Sequence, residues 1–293
     1  MFPITPPPVR RGCASYNPWV NLLNADLHCH STVSDGTLEP EALAQRAKAN
    51  GVELWSLTDH DEIGGQQRAI AAAQAAGLDY LTGTEISVTF AGTTVHIVGL
   101  GFDPGNEALA QGLKATRGGR AERAQEMSDS LAQVGIRGAY DGALKYVGNP
   151  ELISRTHFAR YLVETGVCND THEVFRRFLT EGKPGFVPHR WAKLGDAVRW
   201  IVEAGGIAVI AHPARYGFTP TEEYALITEF IAHGGRGIEV VTGSHSTAEQ
   251  VKYADTAIEF ELLAFDRIEV VGRGLDVHAG KQHRQRHVQA GRL

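Results

Sequence analysis

The residues from Asp26 to Gly36 combine the side chains needed to bind a metal ion. Two histidines, His28 and His30, are separated by one residue and are followed by a Ser34-Asp35-Gly36 turn. Side chains two positions apart on a strand point to the same side, so both imidazoles are expected to face one site, with Leu27 and Cys29 packed the other way. The alternative is a pair of histidines satisfied in a core. We favour the metal because burying so much polarity without a charge partner is costly.

Other ligand-capable side chains follow later strands. The predicted strand 53–57 runs into Thr58-Asp59-His60-Asp61, and the predicted strand 206–211 runs into His212. Glu85 and His96 each interrupt an apolar strand. A lone buried carboxylate is expensive, whereas a carboxylate shared between two cations is the usual bridge of a multinuclear site.

The elements that must position these residues alternate between strands and helices. Residues 25–103 and 189–280 show this alternation, which predicts an α/β barrel with polar groups at the C-terminal ends of its strands. Residues 104–188 contain helical patterns only, at 107–116, 120–134, 150–165 and 171–179, and are interpreted as an insertion over the barrel mouth. Residues 1–24 form a Pro-rich leader expected to be dispensable, and residues 281–293 form a basic tail.

The helical insertion carries several cationic or polar candidates for binding a substrate. Arg155 and His157 are two residues apart at a predicted helix start, which favours a phosphate clamp. A run of arginines is equally typical of a solvated helix face. The candidate substrate-binding residues are Arg117, Arg120, Arg123, Asn149, Arg155 and His157.

Composition narrows the class of protein. The 293 residues are 43% hydrophobic, enough for a large core, and no apolar run is long enough to span a membrane. We therefore expect a cytoplasmic protein. A formal charge of -6 disfavours a protein that coats nucleic acid, so no stable DNA complex is expected. Three scattered cysteines do not form a disulfide framework, while 13 histidines favour a metal site.

The motifs together resemble the PHP family, named for polymerase and histidinol phosphatase. The resemblance covers residues 24–264 and rests on Asp26-Leu27-His28-x-His30, Ser34-Asp35-Gly36, Thr58-Asp59-His60-Asp61, Gly83-Thr84-Glu85, His96-Ile97-Val98-Gly99 and Ala211-His212-Pro213. It implies a distorted (β/α)7 barrel with two or three divalent metal ions at its C-terminal face. Manganese is the expected ion, with zinc, iron and magnesium as alternatives.

The resemblance also implies a role for each position. His28, His30 and Glu85 would hold one metal, Glu85 would bridge to a second held with His96 and His212, and Asp35 and His60 would hold a third. Asp26, Asp59 and Asp61 would orient the imidazoles, although turn capping explains these aspartates equally well.

The last motif of the family is displaced in this chain. A Gly-Ser-Asp-x-His is expected directly after the strand near residues 262–264, but the partial match containing Asp276 and His278 comes several residues later. Either an insertion moved the motif, or the chain after Ala264 is not native to the fold. Asp276 and His278 are therefore candidate ligands that would complete the first and third metal positions.

Within the family, the segment Asn149 to His157 resembles the branch that removes the 3'-phosphate from nucleoside 3',5'-bisphosphates. The resemblance implies a phosphatase acting on a small nucleotide, with Glu85, His212 and His157 in the catalytic centre and His212 or His157 protonating the leaving oxygen. Three alternatives remain: a 5'-exonuclease on short RNA, an amidohydrolase or histidinol-phosphate phosphatase, and a non-catalytic metal-binding module.

Overall fold

Seven strands form one curled sheet in the computed structural model, which describes residues 24–189 and 191–266. The predicted leader, the basic tail and the candidate ligands Asp276 and His278 lie outside the described residues. The strands are β1 (Ala25–Asp26), β2 (Leu54–Leu57), β3 (Asp79–Phe90), β4 (Thr93–Leu100), β5 (Ile207–Ile210), β6 (Gly237–Val241) and β7 (Leu263–Asp266).

Helices connect most of the strands and cover the outer face of the sheet. They are α1 (Pro40–Ala49), α2 (Gln66–Ala76), α3 (Glu107–Arg117), α4 (Arg120–Gln133), α5 (Ala139–Leu144), α6 (Arg155–Glu164), α7 (Thr171–Val174), α8 (Leu194–Glu203), α9 (Pro220–Ala232) and α10 (Thr247–Glu259). Single turns of 3-10 helix occupy Pro150–Leu152 and Pro213–Tyr216, and Phe175–Leu179 forms a π-helical turn. No helix of the described chain is long and apolar enough to cross a membrane.

The strands follow each other in sequence order across the sheet, from β1 to β7. All neighbours pair in parallel except β4, which is antiparallel to both β3 and β5. Strands other than β4 therefore share one direction, so the chain segments that leave their C-terminal ends meet at one edge. The predicted fold, a distorted (β/α)7 barrel, is confirmed.

Alternation along the strands sends apolar side chains to both faces of the sheet. On the outer face, Ile97 and Ile210 join the largest hydrophobic cluster with residues of α3, α8 and α9. On the inner face, Val98 and Val209 pack with Leu100 and Ala211. His96 shares the inner face with Val98, since the two are two residues apart on β4.

The helical insertion has a core of its own. Residues of α4 to α7, including Met127, Leu131 and Phe158, form a separate buried cluster. The first helix of the predicted insertion, α3, belongs instead to the barrel, because Leu109 and Leu113 pack into the outer barrel cluster. The predicted helix 150–165 is split, since Ser154 is an N-cap that starts α6.

The strand that was expected to carry His28 and His30 is shorter than predicted. β1 ends at Asp26, and both histidines lie on the segment that follows it. Leu27 and Cys29 do not pack together: Leu27 contacts the inner cluster, whereas Cys29 joins Trp55 and Leu57 in a cluster under α1 and α2. The strict alternation of a strand is lost once the ladder with β2 ends.

Replacing Gly112 with Ala in α3 is expected to destabilise the barrel. A Cβ at this position would lie 2.4 Å from the ring of Trp200, on α8. Overpacking of this kind costs about 1–3 kcal/mol. Urea unfolding monitored by circular dichroism measures the change.

Ala110→Gly, at an exposed position of the same helix, is the matched control. It should lose about 1 kcal/mol through helix propensity alone. If α3 and α8 were not tightly packed, Gly112→Ala would instead gain about that amount, and a gain would contradict the packing described here.

Candidate functional site

The candidate site is built around the carboxylate of Glu85, which is 1% exposed in the middle of β3. Five imidazoles converge on it from four other chain segments. Its Oε2 lies 3.1 Å from His28 Nε2, 3.1 Å from His30 Nε2 and 3.2 Å from His60 Nδ1, and its Oε1 lies 3.0 Å from His96 Nδ1 and 2.9 Å from His212 Nε2. The structure therefore brings together every predicted histidine ligand that it describes.

Burial and the neighbouring charged groups shift the pKa values of this centre in opposite directions. Burial raises the pKa of Glu85, but the surrounding imidazoles outweigh it and hold that pKa well below its ordinary range. Burial lowers the pKa of His60 to about 4 and that of His212 to about 3, although Glu85 opposes both shifts. The carboxylate is therefore charged near neutral pH, while these two imidazoles are neutral and can offer lone pairs.

The donor set fits divalent metal ions. An ionised carboxylate offers about four lone-pair sites, so five ring nitrogens cannot all donate hydrogen bonds to it. Neutral imidazole nitrogens and carboxylate oxygens are instead the ligands that zinc and manganese take. Three groups of side chains bring their ligand atoms within 4.8 Å of one another: His28, His30 and Glu85; His30, Asp35 and His60; and His60, Glu85 and His96.

Asp35 joins this centre from the turn that follows His30. Burial raises the pKa of its carboxyl, but His60, His30 and His157 together with a hydrogen bond from Thr156 bring that pKa well below the ordinary value. Asp35 is thus an ionised carboxylate among imidazoles, which suits a ligand. Only glycine fits at Gly36 beside it, because a Cβ there would lie 2.1 Å from the carbonyl oxygen of His30.

Asp59 orders the loop that carries these ligands and, among the residues that the structure describes, does not hydrogen-bond an imidazole. Its carboxylate accepts hydrogen bonds from the backbone N–H of Ser31 at 2.7 Å and from the hydroxyls of Ser31 and Ser34 at 2.7 and 2.6 Å. We gave two interpretations of Asp59 above, and these contacts match the second one, turn capping.

Asp61 links the metal centre to the helical insertion. Its carboxylate accepts hydrogen bonds from the backbone N–H and the hydroxyl of Ser87, at 2.7 and 2.9 Å, and forms an ion pair with Arg120 of α4. The guanidinium of Arg117 donates to the Asp61 carbonyl oxygen at 2.7 Å. Asp61 has a positive φ of 48°, a conformation uncommon for a residue other than glycine, so these contacts hold a strained backbone next to His60.

A cavity of about 410 Å³ opens directly onto the histidine cluster. Its wall includes the side chains of the centre, namely His28, His30, Asp35, His60, Glu85, His96 and His212, together with five arginines, Arg120, Arg123, Arg155, Arg160 and Arg215. Trp191 lies under two of these cations, with the Arg120 and Arg123 guanidinium carbons 4.5 and 5.5 Å from its ring centre.

Three of the cavity arginines lack a carboxylate partner within residues 24–189 and 191–266. Arg123 and Arg155 donate only to backbone carbonyl oxygens, and Arg215 forms no ion pair. Arg160 instead interacts with Asp35, whose carbonyl oxygen accepts its hydrogen bond and whose carboxylate opposes the lowering of its pKa by burial. Burial and the nearby Arg155 and Arg120 lower the pKa of Arg123 to about 9. Burial also lowers the pKa of Arg155, and the positive charges of Arg215 and Arg120 lower it further. Crowded positive charge without counter-charge is the environment that binds an anion.

Three predicted substrate-binding residues do not line this cavity. Arg117 pairs with Glu62 at 3.3 Å, and Asn149 caps the 3-10 turn at Pro150 by accepting the backbone N–H of Glu151 at 3.0 Å. His157 is fully buried, and its Nδ1 accepts the backbone N–H of Ser154 at 3.0 Å in a capping box at the start of α6. Each of these three side chains therefore contacts another part of the protein and does not line the cavity.

Sequence reasoning missed Arg160, Arg215 and Glu239. Arg160 and Arg215 gave no distinctive signal, since single arginines on predicted helices and turns are common. Glu239 did give one: it is a lone acid in the apolar strand β6, the same pattern that identified Glu85. Its carboxylate lies 2.6 Å from His28 Nδ1.

Fold and site together define a barrel of the metal-dependent phosphoesterase class. The PHP domain matches residues 26–204, and the chain belongs to the PHP domain family. It is 52% identical over 258 residues to a 3',5'-nucleoside bisphosphate phosphatase of Chromobacterium violaceum, covering 88% of each protein. It is 43% identical over 237 residues to a 5'-3' exoribonuclease of Haemophilus influenzae, covering 81% of this chain and 86% of the relative.

Two solved structures resemble the fold over most of its length. One is an amidohydrolase from Chromobacterium violaceum with bound sulfate and no metal, 51% identical with a TM-score of 0.82, covering 86% of this chain and 91% of that one. The other is described as a metal-dependent phosphoesterase from Bifidobacterium adolescentis, 28% identical with a TM-score of 0.74, covering 83% and 86%.

Asp61→Asn is expected to destabilise the protein strongly. Asp61 and Arg120 are 0% and 5% exposed, so the substitution leaves a buried guanidinium without a counter-charge. Removing one partner of a buried pair typically costs about 3–5 kcal/mol. Chemical denaturation of both proteins measures the loss in the free energy of unfolding.

The control is Asp196→Asn, which breaks the exposed pair between Asp196 and Arg199. That change should stay within about 1 kcal/mol. Equal effects of the two substitutions would show that Asp61 and Arg120 do not hold the insertion to the barrel.

Proposed function

We propose that the protein is a metal-dependent phosphatase that removes the 3'-phosphate from nucleoside 3',5'-bisphosphates, such as adenosine 3',5'-bisphosphate, and leaves the 5'-monophosphate. The observation that carries this proposal is one cavity whose lining combines the histidine and carboxylate centre with arginines, of which Arg123, Arg155 and Arg215 form no ion pair in the described chain. A substrate with two phosphates presents one anion to the centre and one to the arginines. Membership of the PHP domain family and the 52% identical bisphosphate phosphatase support the same reaction.

In this proposal Glu85 would hold metal together with His28 and His30, and also together with His96 and His212. Asp35 and His60 would hold a third ion. Asp276 and His278 stay candidates for the first and third positions. When bound, divalent ions, which we propose to be manganese, stabilise charge on the phosphate oxygens and lower the pKa of the attacking water.

The second phosphate is bound, in this proposal, by the arginines of the insertion. Arg123 and Arg155 come from α4 and α6, and both line the cavity without a carboxylate partner in the described chain. Guanidinium groups bind phosphate through paired charged hydrogen bonds, so they suit this role. Arg120 is already engaged by Asp61, which makes it a support for the other two.

Neither of the two candidate proton donors suits that role as placed: His212 is a neutral metal ligand in this proposal, so it cannot act as the general acid near neutral pH, and His157 does not line the cavity. His212 lines the cavity and contacts Glu85, whereas His157 is fully buried under the N-terminus of α6. A general acid must reach the leaving oxygen directly or through one water. His157 instead holds the start of the helix that presents Arg155.

A second candidate function is 5'-exonuclease activity on short RNA. The 43% identical relative of Haemophilus influenzae carries that name. The same centre could hydrolyse a phosphodiester, because the chemistry at phosphorus is shared. The two functions differ in whether the arginines bind a terminal phosphate of a mononucleotide or of a chain.

The experiment compares phosphate release from adenosine 3',5'-bisphosphate with cleavage of a short 5'-phosphorylated RNA, at equal substrate and added manganese. We expect rapid release of one phosphate from the bisphosphate and slower cleavage of the RNA. His28→Ala and Glu85→Ala should each abolish activity and lower the bound metal measured by elemental analysis, since the first removes a ligand of one metal position and the second removes the ligand that two positions share.

Wild-type turnover in either variant would exclude these residues from the metal centre. Faster cleavage of RNA than of the bisphosphate would favour the exonuclease. Bound metal with hydrolysis of neither substrate would indicate a non-catalytic module.

Arg155→Ala is expected to weaken substrate binding without loss of metal. A hydrogen bond to a charged group contributes about 1.5–3 kcal/mol, so KM for the bisphosphate should rise about 10- to 100-fold with a smaller change in kcat. Steady-state kinetics at saturating manganese measure both.

Arg176→Ala provides the matched control, because Arg176 is an exposed arginine on the same insertion and does not line the cavity. It should leave KM unchanged. Loss of metal in Arg155→Ala, or an equal rise of KM in both variants, would rule out the proposed phosphate contact.

A further inference from the structure

Glu239 makes two short contacts to candidate metal ligands that lie on different parts of the barrel. It is 3% exposed, in the middle of β6. Its Oε1 lies 2.6 Å from Nδ1 of His28, which follows β1, and its Oε2 lies 2.6 Å from the backbone nitrogen of His212, which follows β5. One carboxylate therefore joins two segments that are far apart in sequence.

The contact to His28 fixes which ring nitrogen faces the centre. A ring that binds a metal ion through Nε2 has its one proton on Nδ1, which lies 2.6 Å from Glu239 Oε1 and can donate a hydrogen bond to it. The Nε2 that would then face the ion lies 3.1 Å from Glu85 Oε2. A lone pair and a carboxylate oxygen at this distance repel each other unless a cation lies between them. The ring is thus oriented as a ligand.

The contact of Glu239 with His212 involves the backbone nitrogen of His212 and affects the backbone conformation there. His212 has φ 25° and ψ 60°, a strained conformation for a residue other than glycine. Pro213 follows it and removes one further N–H from the turn. Glu239 accepts the N–H of His212 and so stabilises the strained turn that directs the imidazole to Glu85 Oε1, 2.9 Å away.

We infer that Glu239 is a positioning residue for the metal centre: it sets the tautomer of His28 and the backbone of His212, one on each side of the bridging Glu85. The inference rests on the proposed metal site and does not depend on the identity of the substrate. Residues that orient metal ligands typically contribute 10- to 100-fold to metal affinity.

The test measures manganese affinity of the metal-stripped full chain by isothermal titration, without substrate. Glu239→Gln keeps the size of the side chain, but its amide has one acceptor oxygen for two donors, so it can satisfy only one of the two ligands. We expect its dissociation constant for manganese to rise about 10- to 100-fold. Glu239→Asp keeps two acceptor oxygens at shorter reach and should lose less affinity than Glu239→Gln.

Gly112→Ala serves as the control for general destabilisation, because it strains the outer barrel cluster away from the site. The melting temperature of each metal-free variant is measured beside its affinity. Wild-type affinity in Glu239→Gln, or a loss of affinity that follows melting temperature across all three variants, would overturn the inference. If Glu239→Gln does not fold, the comparison of Glu239→Asp with Gly112→Ala decides in the same way. A wild-type chain that binds no manganese would overturn the metal assignment itself and the inference with it.

Discussion

The structure depends on burying the charge of one carboxylate. Glu85 lies in the longest strand, in the interior of the barrel, where an ionised group is stable only with opposite charge or many donors around it. The surrounding groups come from the ends of β1, β2 and β5 and from β4. Only a curled sheet brings these segments within 3.2 Å of one side chain. Burying the Glu85 carboxylate therefore requires the curled sheet, and the curled sheet in turn positions the groups around Glu85.

The segment from Asp59 to Asp61 shows how closely fold and site are coupled. Three consecutive residues perform three tasks: Asp59 orders the loop before Asp35, His60 contacts Glu85, and Asp61 binds Arg120 of the insertion. Because the chain pairs with β3 at Glu85, with the Asp61 N–H donating to the Glu85 carbonyl oxygen at 2.9 Å, none of these residues can move independently. The insertion is thus held in register with the metal centre, which fixes where the cavity arginines lie.

Much of the fold could be predicted from the sequence, and so could the grouping of the five histidines with Glu85. Glu85 and His96 interrupt apolar strands, His212 follows one, and polar residues at such positions are visible in a single chain. Partners distant in sequence are not visible in this way. The contacts of Asp61 with Arg120 and of Glu239 with His28 join residues that only the folded sheet brings together, which is why Arg120 was predicted as a substrate ligand and why the role of Glu239 could not be assigned although its position in an apolar strand is visible.

The sequence around a residue can also suggest the wrong binding partner for its side chain. Asn149 and His157 were predicted to bind substrate because they lie at helix starts, where anions bind. Helix starts are equally the places where side chains accept backbone N–H groups, and both residues do so here. Sequence shows that a helix begins but not whether its free N–H groups meet a side chain or a ligand. The choice depends on how the insertion folds around each helix start.

Two groups in the cavity lining are electrostatically unbalanced, and in opposite senses. The histidine group holds an ionised carboxylate and ring nitrogens that compete for it, which added cations would relieve. The arginine group holds guanidinium groups that lower one another's pKa, which added anions would relieve. A protein with net charge -6 does not attract a phosphate dianion through its overall field. Selection of a bisphosphate over a monophosphate must then arise locally, from a substrate whose two phosphates satisfy both groups of one cavity at once.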